Sequence, residues 1–326
     1  MAAAVGALAV GDPGELHGTP LGRHTGLRLV VADNPPFVFD VDSGAVTRLR
    51  GVGNVFTVLG VSGTGAIVVA DPTMPGNKRL YVVRNGAATA SLIGSGRDVA
   101  PAAGGAGVWV TRVVSRNHCA LRRIGLDGRQ SPARPIPCRW VIAPASGLGL
   151  VVRRTRIIDP HTGRKVFGSR EGVIAVAGTR VLLARGTRHA PDDRFTLIDA
   201  ASGARHLLRW PSTLADLEQP MVDPRGRYIA LPFGDPSYHL TGNQVLDVWM
   251  LDTATAQLTH LPATPAYVSL KRTSIAWTDD GRLVLLGEED ERAFVGVWRP
   301  GAKRLSLETV RLPKRDGGSD AFAPIG

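Results

Sequence analysis

Arginine recurs at one kind of position in this chain. Four arginines stand just before apolar segments of β type, namely Arg97, Arg139, Arg170 and Arg272. A guanidinium binds carboxylates and phosphates through paired N–H donors, so arginines that converge on one place can form a site for an anion. Asn54, Glu218 and Gln219 precede other segments of this type and are predicted to complete the site. The alternative is that each arginine pairs locally, for instance with Asp98 or Glu171.

A second group of polar side chains lies in residues 234–244. This segment contains Asp235, Tyr238, His239 and Asn243. Histidine and tyrosine can transfer protons, and long loops on a rigid scaffold often carry function. The segment is therefore a candidate site, with an inserted surface loop as the alternative.

Recognised catalytic motifs do not occur in the sequence. It has no nucleophile elbow, phosphate-binding loop, dinucleotide fingerprint or zinc-protease helix motif. His189 with Asp192 and Asp193 could contact a metal, but one loop of mixed charge lacks convergent ligands of known spacing. The sequence predicts no metal site and no cofactor.

Positive charge is concentrated in one part of the chain. Lysine and arginine total 39 against 28 acidic residues, a net charge of +11. The stretch from Arg97 to Arg170 holds 13 arginines, one lysine and three acids, and the rest of the chain is balanced. One sector should therefore face an anionic partner. Nucleic acid is not expected, because Trp109 and Trp140 are the only tryptophans in this stretch that could stack on bases.

The two cysteines, Cys119 and Cys138, flank a turn at residues 126–129. If the turn closes a hairpin, Cys119 lies opposite Ile136, within two residues of Cys138. The pair could then form a disulfide, with two buried free thiols as the alternative.

The first residues are short, apolar and small. Residues 7–9 have the Ala-x-Ala form of a signal-peptidase site, but a basic segment before them is missing. Residues 1–12 are interpreted either as the remnant of a signal peptide or as a disordered terminus. With the predicted disulfide, this favours a secreted or cell-envelope protein, with the cytoplasm as the alternative. No run of about 20 apolar residues is present to form a transmembrane helix.

An internal repeat positions all of these residues. Turns of the form Asp-x-x-Ser/Thr-Gly, or looser versions of it, end at residues 44, 86, 128, 163, 203, 256 and 301. An aspartate can accept backbone N–H bonds in such a turn, and glycine adopts the positive φ that it needs. A second hairpin precedes every turn except the first. Four strands in each of seven units predict a seven-bladed β-propeller.

This pattern predicts an all-β chain in which residues 13–326 form a single propeller domain and a monomer. We expect 26–28 strands and few helices. The ring is expected to close by pairing between residues 27–31, or the residues before them, and residues 305–312.

Residues 221–230 and 276–285 carry hairpins that resemble the repeats of bacterial TolB-type, WD40-like propellers. The resemblance extends over nearly the whole chain, although no unit has the Gly-His and Trp-Asp pairs of true WD40 repeats. It implies the fold and not an activity.

Together these features predict a non-enzymatic binding or scaffold propeller of the cell envelope, with an anionic group bound at the mouth of its channel. The partner would be an anionic small molecule or another envelope protein. The alternative is a propeller-type lyase or hydrolase that uses arginine, Tyr238 and His239 on the same face.

Overall fold

Seven mainly antiparallel sheets surround a central axis in the computed structural model, and the seven-bladed propeller prediction is confirmed. The structure describes residues 14–55, 57–61, 63–71, 77–187, 190–214, 216–234, 244–268, 274–289, 292–313 and 321–325.

Each sheet is one blade, and its strands are lettered a to d from the axis outwards. Blade 1 consists of Phe322–Ile325, Arg28–Val31, Phe37–Asp40 and Val46–Arg48. Blade 2 consists of Thr57–Val61, Ala66–Asp71, Lys78–Arg84 and Ser91–Gly96. Blade 3 consists of Val99–Pro101, Val108–Ser115, His118–Ile124 and Arg134–Pro137. Blade 4 consists of Ile142–Pro144, Leu150–Val152, Arg156–Ile158 and Lys165–Gly168. Blade 5 consists of Gly172–Ala177, Arg180–Thr187, Ala190–Asp199 and Arg205–Arg209.

Blades 6 and 7 have additional strands. In blade 6, strand a is split into Asp216–Leu217 and Met221–Val222, strands b and c are Tyr228–Gly234 and Gln244–Asp252, and strand d is split into Gln257–His260 and Ala266–Val268. Blade 7 consists of Ser274–Trp277, Leu283–Glu289, Arg292–Trp298 and Ser306–Val310.

The apolar runs in the inner strands fill the spaces between blades. The described residues form seven core clusters, and each cluster lies between two neighbouring blades. Side chains alternate between the two faces of a strand, and both faces of an inner strand are covered. This is why Ala66–Asp71 is buried along its whole length.

The repeated turns adopt the predicted geometry. In the turn that starts at Asp159, the N–H of Gly163 donates to the Asp159 carbonyl at 2.7 Å, and Thr162 Oγ1 donates to the carboxylate at 2.7 Å. The bond from the Thr162 hydroxyl, with that from the His161 N–H, holds the pKa of Asp159 below its ordinary value. Gly163 has φ +72°, and Ala256, which replaces glycine in blade 6, has φ +59°.

The ring closes in part as expected: the residues before Arg28, Thr19–Pro20, pair with Ser306–Leu307, but Arg28–Val31 has a different partner. Arg28–Val31 does pair across the closure, but its partner is Phe322–Ile325. The segment 305–312 instead contributes the outer strand Ser306–Val310 of blade 7. The last strand of the chain thereby becomes the innermost strand of blade 1.

The strand count was underestimated, because the described residues contain 32 strands. Two of the additional strands come from the beginning of the chain. Gly14–Glu15 pairs in parallel with strand d of blade 6, and Thr19–Pro20 pairs in parallel with strand d of blade 7. Leu16 between them is buried, so this segment is packed against the ring.

Helical structure in the described part is limited to two 3₁₀ turns, Ala103–Gly105 and Ser146–Leu148. No helix that could cross a membrane occurs among the described residues. Residues 1–12 lie outside the described part.

Candidate functional site

The alternating direction of the strands defines the two faces of the ring. Turns between strands b and c lie on the same face as the connections from strand d to the next strand a. We call this face the b–c face. The predicted anion site falls on it, because Arg97, Arg139 and Arg170 all lie in such connections.

Arg97 is fully engaged within the ring. Its guanidinium donates to the Asp98 carboxylate at 2.8 and 2.9 Å, to the carbonyl of Cys138 at 2.6 Å and to the carbonyl of Trp140 at 2.5 Å. Asp98 also accepts a hydrogen bond from the buried Thr111 hydroxyl at 2.7 Å. Arg97 therefore fixes the connection that leads from blade 3 to blade 4, as the local-pairing alternative describes.

A disulfide fixes the same connection from the other side. Cys119 and Cys138 are bridged, with their Cα atoms 4.9 Å apart, and Cys119 lies opposite Ile136 as the hairpin register predicts. Cys138 belongs to the connection and Cys119 belongs to strand c of blade 3. Arg139 is thus presented by a backbone that is held at both neighbouring residues, Cys138 and Trp140.

Arg139 and Arg170 are exposed on the b–c face. Among the described residues, neither guanidinium has a hydrogen bond or ion pair. Arg272 lies outside the described part. A common pocket for these arginines stays a prediction.

The structure adds four exposed arginines on the same face of blades 3 and 4. Arg116 lies in the b–c turn of blade 3, Arg153 and Arg154 form the b–c turn of blade 4, and Arg156 begins the next strand. No ion pair to them occurs within the described ranges. We call the following six residues the basic surface: Arg116, Arg139, Arg153, Arg154, Arg156 and Arg170.

The turn of blade 4 holds two of these arginines in an unfavourable backbone conformation. Arg153 and Arg154 have φ of +55° and +59°, in the left-handed region. For a residue with a side chain this costs about 1 kcal/mol or more. Blade 5 and the connection that leads to it support the turn. The N–H of Val173 donates to the Arg154 carbonyl at 2.5 Å, and that of Ser169 donates to the Thr155 carbonyl at 3.0 Å.

Other arginines connect the blades and are structural. Arg28 donates to the Asn85 side chain at 2.8 Å, which joins blade 1 to blade 2. Arg84 donates to the Leu126 carbonyl at 3.2 Å and joins blade 2 to blade 3. Arg134 donates to the carbonyl of His161 at 2.5 Å and joins blade 3 to blade 4. These arginines are structural, whereas the basic surface groups six exposed arginines without ion pairs in the described part on one face of two neighbouring blades.

The remaining residues of the predicted rim are dispersed. The side-chain carbonyl oxygen of Asn54, before strand a of blade 2, is buried and makes no hydrogen bond in the described structure. Glu218 and Gln219 do not precede strand a of blade 6 but interrupt it, because Asp216–Leu217 already pairs with strand b. Pro220 has no N–H to continue the pairing.

The second candidate group falls on a part of the chain that the structure does not describe. Asp235, Tyr238, His239 and Asn243 lie outside the described residues, as does His189. The side chains of Asp192 and Asp193 are also outside the described part. Where side chains are described, no group of three or more histidine, cysteine or acidic residues is arranged to hold a metal ion.

Sequence reasoning missed a buried polar network in blade 6. The Asp247 carboxylate, 1% exposed, accepts hydrogen bonds from His260 Nε2 at 2.6 Å and from Trp249 Nε1 at 2.9 Å. Ser212 also hydrogen-bonds to it. Burial alone would raise the pKa of Asp247, but the bonds from His260, Ser212 and Trp249 outweigh burial and hold the pKa below its ordinary value.

The role of this network is structural. His260 Nε2 also lies 3.2 Å from Thr264 Oγ1, and the His260 ring lies 4.6 Å from that of Trp249. Because the serine contacts the carboxylate and not the histidine, the group lacks the serine–histidine contact that activates a nucleophile. The network joins the split outer strand of blade 6 to the strand next to it.

The fold and this surface define a seven-bladed β-propeller with an arginine-rich b–c face. No protein-family model matches the chain, and no curated protein sequence matches it. Solved structures share the fold. TolB from Acinetobacter baumannii is 11% identical, with a TM-score of 0.53 over 93% of this chain and 67% of TolB.

Two further structures match nearly their whole length. The periplasmic gluconolactonase PpgL from Pseudomonas aeruginosa is 12% identical, with a TM-score of 0.55 over 92% of this chain and 99% of PpgL. AztD from Citrobacter koseri is 14% identical, with a TM-score of 0.54 over 92% of this chain and 98% of AztD. The resemblance to TolB-type propellers is confirmed at the level of the fold. At these identities the matches show the fold alone.

Proposed function

We propose that this chain is a non-enzymatic propeller outside the cytoplasm that binds an anionic partner through the basic surface of blades 3 and 4. The observation that carries the proposal is the group of six exposed arginines whose guanidinium groups have no ion pair in the described part of the chain.

The arrangement is costly to the folded protein. Like charges on neighbouring turns repel one another, and screening weakens this repulsion only beyond about 8 Å at physiological salt. Left-handed backbone at Arg153 and Arg154 adds a further cost. Backbone strain that the surrounding structure maintains tends to occur at functional sites. A bound anion would remove the repulsion and add charge-assisted hydrogen bonds.

The rigid support of the surface favours binding without large rearrangement. Arg97 and the disulfide hold the backbone on both sides of Arg139, and blade 5 holds the turn of Arg153 and Arg154. A preorganised surface loses little conformational entropy when a partner binds.

The disulfide supports the location. Disulfides persist mainly in oxidising compartments such as the periplasm and the exterior of the cell. PpgL, which shares the fold, is described as periplasmic. Export of this chain is part of the proposal.

The test measures binding of fluorescent polyglutamate as a defined polyanion. The Arg153→Glu, Arg154→Glu, Arg156→Glu variant should bind at least about tenfold more weakly than wild type at low ionic strength, because three contacts become repulsive. A matched control reverses three exposed arginines elsewhere, Arg205, Arg209 and Arg304. It changes the net charge equally and should weaken binding only about two- to threefold.

Equal loss in both triple variants would contradict the proposal, since the protein would then bind polyanions through its total charge alone. Circular dichroism of each variant establishes that the fold is retained.

A further inference from the structure

An apolar groove of about 400 Å³ lies on the outer part of blade 3. Its walls come from strands b, c and d and include Val114, Ala120, Ala133, Pro135 and Pro137. Val114 is 66% exposed, so its aliphatic side chain is in contact with water. The groove thus leaves apolar surface uncovered on the most basic part of the molecule.

Cations border this groove. Arg112 lies directly opposite Ala120 in the pairing of strands b and c, so both side chains are on one face of the sheet. Arg112 is exposed and has no ion pair within the described ranges. Arg116 lies two residues after Val114, in the adjacent turn, and belongs to the basic surface, so the groove and that surface are neighbours in blade 3.

Arg122 adds an unsatisfied donor on the same face. It lies two residues after Ala120 in strand c, and side chains two residues apart share a face. Its Nη1 donates to the Gln130 side chain, but its buried Nε has no hydrogen-bond partner in the described structure. A buried donor without a partner is costly, so turning this guanidinium toward the carboxylate of a ligand would give Nε the acceptor that it lacks.

The outer strand of blade 3 is poorly suited to pairing with another strand. Pro135 and Pro137 have no backbone N–H, so two donors are missing from Arg134–Pro137. A partner at this edge is therefore recognised through its side chains.

We infer that the groove binds an acidic segment of another protein, with one aliphatic side chain between Val114 and Ala120 and carboxylates paired with Arg112 and Arg122. Charge complementarity selects this occupant, because an apolar centre bordered by arginine is the usual composition of a protein–protein contact. The inference rests on the proposed function and specifies its partner.

The experiment selects binders from a displayed library of random 12-residue peptides, using the intact, oxidised protein. We expect enriched peptides to carry a leucine, isoleucine or valine flanked by at least two acidic residues. Synthetic copies should bind Val114→Ser about five- to tenfold more weakly, the loss that corresponds to one aliphatic contact. They should also bind Arg112→Gln more weakly, at unchanged melting temperature.

The matched control is Leu207→Ser, because Leu207 is likewise 66% exposed but lies in blade 5. It should leave peptide binding unchanged. Acidic peptides without an aliphatic residue, which lose affinity for the triple glutamate variant of blade 4 but not for Val114→Ser, would overturn the groove assignment and leave the proposed function intact. Apolar peptides without acidic residues, or no enrichment, would overturn it as well.

A lipid occupant would give a different result. Vesicles of phosphatidylglycerol that sediment with wild type, but not with Val114→Ser, would overturn the protein-segment inference in favour of a membrane.

Discussion

Charged side chains have opposite environments in blade 6 and on the basic surface of blades 3 and 4. In blade 6, the Asp247 carboxylate is removed from water and accepts hydrogen bonds from three side chains. On the basic surface, six guanidinium groups stay in water without ion pairs in the described structure. Charge that is satisfied internally stabilises a fold, whereas charge left unpaired on a supported surface is available to a partner. Burial and pairing identify the charge of blade 6 as structural, whereas the proposed function assigns the unpaired arginines of blades 3 and 4 to a partner.

The largest effect should come from blade 6. Asp247→Ala should lower the free energy of unfolding by about 3–4 kcal/mol, because it leaves the His260, Trp249 and Ser212 donors without their buried acceptor. Chemical denaturation of the variant and of wild type measures the difference. Glu308→Gln, at an exposed position, is the control and should change stability by less than about 0.5 kcal/mol. Equal effects of the two substitutions would remove the contrast between the regions.

The lowered pKa of Asp247 predicts that the stability of the fold depends on pH. The pKa of this carboxylate is lowered in the folded protein, so its stabilising contribution is complete above its unfolded pKa of about 4. That contribution should disappear as the pH falls through the lower folded pKa. The stability difference between wild type and Asp247→Asn should therefore be constant from about pH 7 to 5 and shrink below about pH 4. A difference that grows on acidification would contradict the assignment.

Removal of the disulfide should have the next largest effect on stability. The bridge fixes the connection that presents Arg139. Cys119 and Cys138 are separated by 19 residues in the chain. Closing a loop of this size stabilises a protein by about 3 kcal/mol in the chain-entropy model. The Cys119→Ser, Cys138→Ser variant should lose about this amount, and reductant should lower the melting temperature of wild type only. A wild-type melting temperature that is insensitive to reductant would show that the bridge does not form.

Arg97 tests whether an arginine of the predicted site is structural. Arg97→Ala should lower stability by about 1–2 kcal/mol, since the Asp98 carboxylate and the carbonyls of Cys138 and Trp140 lose a donor. Arg139→Ala, at the exposed position beside it, should leave stability nearly unchanged but weaken polyglutamate binding. Thermal unfolding and anisotropy measure the two properties separately. The reverse pattern would exchange the roles of the two residues.

The sequence predicts most of the ring because its repeat is local. The aspartate turns, the two hairpins in each unit and the register that places Cys119 opposite Ile136 all depend on residues close together in the chain. Ring closure depends on distant residues. The short strand Phe322–Ile325 has no pattern that distinguishes it from Ser306–Val310, so the wrong partner was predicted for Arg28–Val31.

The exposed arginines of the basic surface were predicted only in part, because some of their features are local in the chain and others are not. Charge along the chain located the basic sector, and alignment of strand starts identified Arg139 and Arg170. It could not separate them from Arg97, whose three-way engagement depends on the folded connection. Arg153 and Arg154 were missed because their turn carries no glycine or asparagine. Asp247 and His260 pair across 13 residues, and only the spacing from Asp247 to Trp249 and His260 could have marked them.

The smallest expected change in stability gives the most direct test of the basic surface. In this test the stability of the protein should increase while its affinity for polyglutamate decreases. The Arg153→Asn, Arg154→Gly variant places residues that tolerate left-handed backbone in the turn of blade 4. We predict that its free energy of unfolding is about 1 kcal/mol higher than that of wild type. We also predict that it binds polyglutamate several-fold more weakly. Unfolding and binding of this one variant are measured in the same buffer. A variant that is more stable and binds equally well, or one that is less stable, would contradict the claim that this surface is maintained for an anionic partner.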